Sequence, residues 1–503
     1  MPQGQIRKGF FFYFGLFVLL LLAGFCVCLV VMMFNPGKTV LWMQYFTANQ
    51  DYRIEKTTDE AQTEINYNAL TGIQIDATSF ANIKVQKTKD YQKTGVYIVN
   101  KAKGFASAKN AKAFDCSVSL EGTTLIVNIQ EPTGFLYISK DIEIIVHMTS
   151  ELETNLDYIV LSAKTGSGYI GVGESGKDAK NVQLKGLTAE TVDGNIYLTD
   201  YFDMSRVDSN IKLKSHSGKI EALGNIEYET GKTANGIKVG CDVEISNTKG
   251  RVNAGAIVCN NLELKTESGD MKIDNIKTSG ATKVTCSKGN FVFGKITNNI
   301  SFAKSEDTLL SPNVTITELD GDFLINGREL ANPDIKISKI NGKFTSFVDQ
   351  GSIFLGEANG EISIQSENSL TANVVVGENN DKNITIKNKN GDIKIGFLGN
   401  VKGSTEIISE NGKVFVNVLK NAKFTAMAYK SETYTDENLL EESKITVSID
   451  NSTLDPLMSK NPLKVNGGAT TTESGIIKIV TKNHVTYSNK TADQIKAQDE
   501  VVA

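Results

Sequence analysis

The stretch Ser268 to Phe293 reads SGDMKIDNIKTSGATKVTCSKGNFVF and contains one unit twice. A small or polar residue and a glycine are followed by one polar residue, then by a run in which apolar and polar side chains alternate. The two copies are Ser268-Gly269-Asp270-Met271-Lys272-Ile273 and Lys288-Gly289-Asn290-Phe291-Val292-Phe293. Alternation with period two places one face of each strand in a core. The glycine is read as supplying the positive backbone angle of a tight turn.

The unit recurs in both directions. Upstream stand Asp193-Gly194-Asn195, Ser217-Gly218-Lys219 and Lys249-Gly250-Arg251, with Gly168 opening the series. Downstream stand Asp320-Gly321-Asp322, Asn341-Gly342-Lys343, Asn359-Gly360-Glu361, Asn390-Gly391-Asp392 and Asn411-Gly412-Lys413. With Gly351 included, the glycine steps are 26, 24, 32, 19, 20, 32 and 21 residues, then 9 and 9, then 31 and 21. Several lie near 20, and the steps of nine look like half a unit. A strand period of about 20 residues is what one coil of a β-solenoid requires. The expected fold is therefore all-β, a β-solenoid or parallel β-helix-like array. About 12 coils at ~4.8 Å each would give a rod on the order of 60 Å. Tandem β-sandwiches are the alternative, because Asn-Gly between alternating strands is also a hairpin signal.

Composition agrees with a chain given over to ladders. Of 503 residues 43 are Gly and only 7 are Pro, which suits many turns and few interruptions of sheet pairing. The 53 basic and 58 acidic residues leave a net charge of −5 with no basic block, so nucleic acid is not an expected partner.

At the N-terminus a second signal stands alone. Phe10 to Phe34 is 25 residues without a charge. As a helix it would be roughly 37 Å long, enough to cross a ~30 Å hydrocarbon core. Arg7 and Lys8 precede it, which predicts a cytoplasmic N-terminus and an exported remainder. Asn35-Pro36-Gly37 ends the helix, and Trp42, Tyr45 and Phe46 are candidate interfacial anchors. A cleaved signal peptide would have a shorter apolar core and a small-residue cleavage site, whereas this segment ends in Val31-Met32-Met33-Phe34. A lipoprotein signal would want a small residue where Phe25 precedes Cys26. A buried globular helix would need helical neighbours that the rest of the chain does not offer. The expected organisation is a cytoplasmic stub (1–9), a transmembrane signal-anchor (10–34), a juxtamembrane linker (35–70), a β-rich capping region (71–160), the solenoid (160–490) and a polar tail (491–503). Residues 430–460 are the one place after the span that tolerates a short helix.

The glycine-turn-strand units resemble the bacterial "putative adhesin" β-strand-repeat domains, a family of unknown function. Lys464-Val465-Asn466-Gly467-Gly468 followed by Ser474-Gly475-Ile476-Ile477-Lys478-Ile479 is similar to the way that domain ends. The resemblance covers about 160–480 and implies a solenoid displayed at the cell envelope, with some relatives tied to envelope-stress systems.

Catalytic constellations are absent from the sequence. Three His are present. His147 sits in an alternating strand, His216 between Ser215 and Ser217, and His484 near the C-terminus; no Gly-x-Ser-x-Gly or His-Glu-x-x-His accompanies them. Cys26 and Cys28 lie in the apolar segment. Cys116, Cys241, Cys259 and Cys286 lie outside it without zinc spacing. Cys241 and Cys259 fall at similar places in consecutive units; buried core packing is the favoured reading, with a disulfide as the other. Gly377-Glu378-Asn379-Asn380-Asp381-Lys382 is oxygen-rich but occurs once, so it reads as a solvated loop rather than a calcium site. The slot after the turn glycine holds Asp270, Asp322 and Asp392 but also Lys219, Lys343, Lys413, Asn195 and Asn290, a mixed edge rather than a carboxylate cleft. The expectation is a non-catalytic protein without metal or cofactor, with a binding, adhesion or scaffolding role at the envelope. Its expected partners are the membrane and a protein or glycan at the surface. An accessory to envelope-stress sensing, with a membrane signalling partner, is the alternative, and a polysaccharide-active β-helix enzyme the remaining one.

Overall fold

A computed structural model describes residues 4–34, 54–57, 70–77, 81–87, 95–105, 115–130, 136–148, 159–173, 181–228, 232–305, 309–327, 331–420, 422, 424–449, 463–465 and 475–497. Between residues 72 and 490 the alternating segments stack as the parallel ladders of a β-solenoid. Val160–Thr165 lies beside Gly186–Thr191, which lies beside Ile211–Ser215, and so on toward Thr405–Ser409 and Ile476–Thr481. Sandwich strands pair antiparallel, so these in-register parallel ladders decide between the two expected architectures.

The coil length can be read down one inward column. Leu161, Leu187, Ile211, Val243, Leu262, Thr282, Ile300, Phe323, Phe344, Ile362, Ile384 and Thr405 are successive register partners. Their steps are 26, 24, 32, 19, 20, 18, 23, 21, 18, 22 and 21 residues. A second column runs through Ile170, Ile196, Ile220, Val252, Met271, Phe291 and Val314. A shorter third side carries Ile257, Ile276, Ile296, Leu319 and Ile340. All these apolar side chains are buried in one continuous core. In the middle coils aromatic rings fill it: Phe291, Phe302, Phe323 and Phe344 follow one another at centroid distances of 5.6, 5.6 and 5.0 Å.

The turn glycines have a different reason from the one expected. Gly194, Gly218, Gly250, Gly269 and Gly412 are not in the left-handed region; among the corner glycines only Gly289, Gly351 and Gly391 are. The constraint is contact with the coil beneath. A Cβ on Gly194 would stand 1.6 Å from the Gly168 carbonyl oxygen, and one on Gly218 1.7 Å from that of Gly194. Each glycine is bare because its neighbour's backbone occupies the place of a side chain. A buried Thr, Ser or Asn three residues earlier closes the corner: Thr191 Oγ1, Ser215 Oγ and Asn247 Oδ1 accept from the N–H of Gly194, Gly218 and Gly250 at 2.9, 2.9 and 2.6 Å. The half-unit steps are also explained. Gly342 and Gly360 stack at one corner, while Gly351 lies over Pro333 at the other.

The residue after the glycine often ties one coil to the next. Asn195, Asp270, Asp322 and Asp392 accept through Oδ1 from the backbone N–H of Lys219, Asn290, Lys343 and Lys413 at 2.8 to 3.1 Å. Asp322→Ala should therefore cost about 1 kcal/mol, the net worth of one exchanged hydrogen bond, and Asp322→Asn much less. Urea unfolding of the two variants, followed by circular dichroism, checks this.

The ends depart from the parallel pattern. Asp115–Glu121 and Thr124–Gln130 form an antiparallel hairpin whose second strand lies parallel to Gly72–Ala77. Leu136–Met148 lies parallel to Asn82–Lys87 and antiparallel to Gly95–Phe105. Such pairings reduce the unpaired edge a stack would otherwise present. Within 430–449, the described part of the stretch expected to tolerate a short helix, lie the 3-10 turns Asp436–Asn438 and Glu442–Lys444. The stretch expected as a loose polar tail opens instead with a helix, Ala492–Lys496. Thr491 and Gln494 cap it reciprocally, and Ile495 is buried against Val375 and Leu398. One isoleucine in a polar run was too local a signal to announce a docking helix.

The N-terminal segment is helical from Gly4 to Phe34, 31 residues, and the apolar side chains described there, such as Phe12, Leu19 and Val27, are exposed. Among the described residues no helix is long and apolar enough to cross a membrane. Trp42, Tyr45 and Phe46, and most of the linker, lie outside the described residues.

Candidate binding surface

The regular coils put their chemistry outside, in columns. On the first sheet Lys212, Glu244, Glu263 and Lys283 succeed one another in an outward column. With Lys265 they form a lattice: Glu244 meets Lys212 at 3.3 Å and Lys265 at 3.0 Å, and Glu263 meets Lys265 at 3.0 Å and Lys283 at 3.8 Å. Partial burial pushes the Glu244 carboxyl up, but the hydrogen bonds from Lys265 and Lys212 outweigh it and hold it below its ordinary range. The same column then loses its charge: Ser301, Leu324, Thr345, Ser363 and Thr385 follow. A charged zone thus passes into a neutral one along a single face.

A side structure spans three coils and ends in the one whose step reaches 32 residues. Val182–Gln183 pairs with Phe202–Asp203 as a small separate sheet, followed by the 3-10 turn Met204–Arg206. Asn225–Tyr228 and Lys232–Lys238 add an antiparallel hairpin. Between them opens a cleft of about 550 Å³ floored by Phe202, Met204, Ile226 and Val239 and rimmed by Asp200, Asp203, Glu227 and Lys238. Asp203 accepts from Gln183 Nε2 at 2.7 Å and from the Ser205 N–H at 2.9 Å. Burial alone would raise its carboxyl; the Ser205 and Gln183 hydrogen bonds and the Arg206 charge overcome that and leave it lowered. Lys238 Nζ donates to the Glu227 carbonyl at 3.2 Å. A second cleft, about 660 Å³, follows the corner past Asp270, Lys288, Asn290 and Asn313. Its polar groups serve the coil ladder, since Asn290 Nδ2 donates to Asp270 and Asn313 Nδ2 to Asn290, each at 2.9 Å.

The residues singled out from the sequence fall as follows. The hydroxyls beside His216 are spent on the corner, Ser215 donating to the Gly194 carbonyl at 3.1 Å and Ser217 to Asp193 at 2.6 Å. His147 is on the strand opposite Gln86, and His484 Nδ1 lies 3.0 Å from Asn483 Oδ1 at the surface. The oxygen-rich loop turns its central amide inward: Asn380 Nδ2 donates to the Ala358 and Gly360 carbonyls, while Asp381 pairs with Lys382 at 2.8 Å. Asp270 and Asp392 stand at one corner and Asp322 at the other, so they do not converge. Among the described residues no group of three or more His, Cys, Asp or Glu is placed to hold a metal ion. Cys241, Cys259 and Cys286 are buried thiols.

Parallel ladders, stacked corner glycines and a continuous apolar core define a β-solenoid. The family model described as Toastrack DUF4097 matches residues 70–454, and the chain belongs to that family. Among solved structures, a "putative adhesin" from Bacteroides fragilis aligns at 12% identity over 84% of this chain and 92% of its own, with a TM-score of 0.17. One from Parabacteroides merdae aligns at 8% identity over 88% and 97%, and one from Parabacteroides distasonis at 8% over 87% and 98%; both TM-scores are 0.16. No curated protein matches significantly.

Proposed function

We propose that the protein is a single-pass envelope protein that displays its solenoid outside the cytoplasm as a non-catalytic binding or scaffolding rod. The observation that carries this reading is the continuous ladder itself, whose side chains inward make core and outward, among the described residues, make charged and hydroxyl columns and the side cleft. The 25-residue apolar stretch behind Arg7 and Lys8 supports the anchoring, with the N-terminus inside. A protein or glycan is the expected ligand, met by the face that carries the hydroxyls of Ser301, Thr345, Ser363 and Thr385. The Bacteroides relative is described as a "putative adhesin", which agrees with that role.

Topology is the direct test. Full-length protein tagged at both ends should, in protease-treated spheroplasts, lose its C-terminal tag and keep the N-terminal one. A C-terminal tag protected until detergent is added would overturn the export reading.

A further inference from the structure

Two of the buried cysteines lie on adjoining segments of adjacent coils. Val239 N–H donates to the Val258 carbonyl and Asn260 N–H to the Cys241 carbonyl, each at 2.9 Å. In a parallel ladder, residue i gives its carbonyl to the N–H that follows its partner. The same relation, Asn332 N–H to Leu310 carbonyl, accompanies the parallel bridge between Leu310 and Ala331. The bond from Asn260 to Cys241 sets Cys241 beside Cys259, between the paired residues Lys238 and Val258 on one side and Val243 and Leu262 on the other. Both Val239 and Cys241 are held against Cys259, so the earlier coil bulges there, and Gly240 at the bulge has open space around it. Cys241 and Cys259 are 5% and 4% exposed and belong to the same core. Neighbouring parallel strands stand about 4.8 Å apart, inside the range of Cα separations that a disulfide spans.

We propose that Cys241 and Cys259 form a coil-to-coil disulfide when the chain meets a pool of small disulfides. One thiolate attacks a small-molecule disulfide RSSR, releasing RSH and leaving a mixed disulfide. The second thiolate then displaces the remaining RS group as thiol. In total, two protein thiols and one RSSR give one protein disulfide and two RSH, with two electrons passed to the small disulfide. Burial, then the neighbouring Cys241 and Asp242 charges, push the Cys259 thiol up to about 12, so the exchange is slow. Slow formation suits a structural staple rather than a quick sensor. It closes a short loop, which removes unfolded-state freedom. Its presence in the cell rests on the export reading; its formation in vitro does not.

The test uses purified full-length protein equilibrated with oxidised or reduced glutathione, then alkylated under denaturation, digested with trypsin and read by mass spectrometry. Cleavage at Lys238, Lys249, Arg251 and Lys265 puts the two cysteines on separate peptides, 239–249 and 252–265. The expected result is one cross-linked pair of these peptides in oxidised glutathione, Cys286 fully alkylated, and a thermal midpoint several degrees higher than in reduced glutathione. Cys241→Ala and Cys259→Ala should each abolish that redox-dependent rise, whatever their own stability. Free thiols, glutathione adducts on either cysteine, or pairing with Cys286 at equilibrium would each overturn the proposal. If the pair forms in vitro but is reduced in protein alkylated directly in cells, the export reading fails and the cross-coil bond stands.

Discussion

Gly194→Ala should destabilise the solenoid by about 3 kcal/mol, at the upper end of what overpacking usually costs. The new methyl group would meet the Gly168 carbonyl oxygen at 1.6 Å and Thr191 Oγ1 at 2.6 Å. The first is backbone, and it is held from both sides. Thr191 Oγ1 lies within 3.3 Å of that carbonyl and accepts from the Gly194 N–H, so the clash would open the corner as well as separate two coils. Gly122 supplies the contrast. It sits in a true hairpin turn at φ +61°, and a Cβ added there would have nothing within 4 Å. There alanine pays only for the left-handed backbone, roughly 1 kcal/mol, and asparagine, which tolerates that region, should cost less than alanine. At Gly194 the order reverses, because the longer side chain meets the same carbonyl. Stacked repeats open locally, so hydrogen exchange at residues 187–198 should rise in Gly194→Ala together with a lower urea midpoint. Equal costs for alanine and asparagine at both glycines would refute the close-approach explanation.

That contrast marks how far the sequence could be read. Alternation and glycine spacing exposed the coil, because both are local patterns that every rung repeats. The reason for the glycine was not local. The atom that excludes a side chain at Gly218 belongs to Gly194, a full coil earlier, and no dipeptide records it. A further local signal is in the sequence: Thr191, Ser215, Asn247, Thr266 and Ser409 each stand three residues before a corner glycine. Their side chains close the corner, as Thr266 Oγ1 does by accepting from the Gly269 N–H at 2.6 Å. Of the side cleft only the hairpin wall was visible, as the 32-residue step from Gly218 to Gly250, while Phe202, Asp203 and Met204 come from a coil of ordinary length. The cysteine pairing was half legible for the same reason. Similar places in consecutive units bring Cys241 and Cys259 near one another, but the bulge at Gly240 that sets them side by side depends on backbone hydrogen bonds.

Within the core, Phe323→Ala should lose about 4 kcal/mol, the range for deleting a buried aromatic side chain. Phe323 is 1% exposed and lies between two rings, 5.6 Å from Phe302 and 5.0 Å from Phe344, nearly parallel to the latter at 6°. Removing it breaks both contacts, each worth about 0.5–1.5 kcal/mol beyond area, and leaves a void that rigid ladders on either side resist closing. Phe323→Leu keeps most of the volume and should cost less than half as much. One coil on, the sign changes. Ser346 is fully buried between Ile325 and Ile364 in an inward column, and its hydroxyl has no hydrogen-bond partner among the described residues. Ser346→Ala removes a desolvated polar atom and almost no volume, so stability should rise by about 1 kcal/mol. Packing and desolvation thus predict opposite shifts in the urea midpoint from neighbouring positions of one core. A Phe323→Ala loss below about 1 kcal/mol would mean the coils can relax around the void, and that the aromatic column fills space without setting the spacing of the rungs.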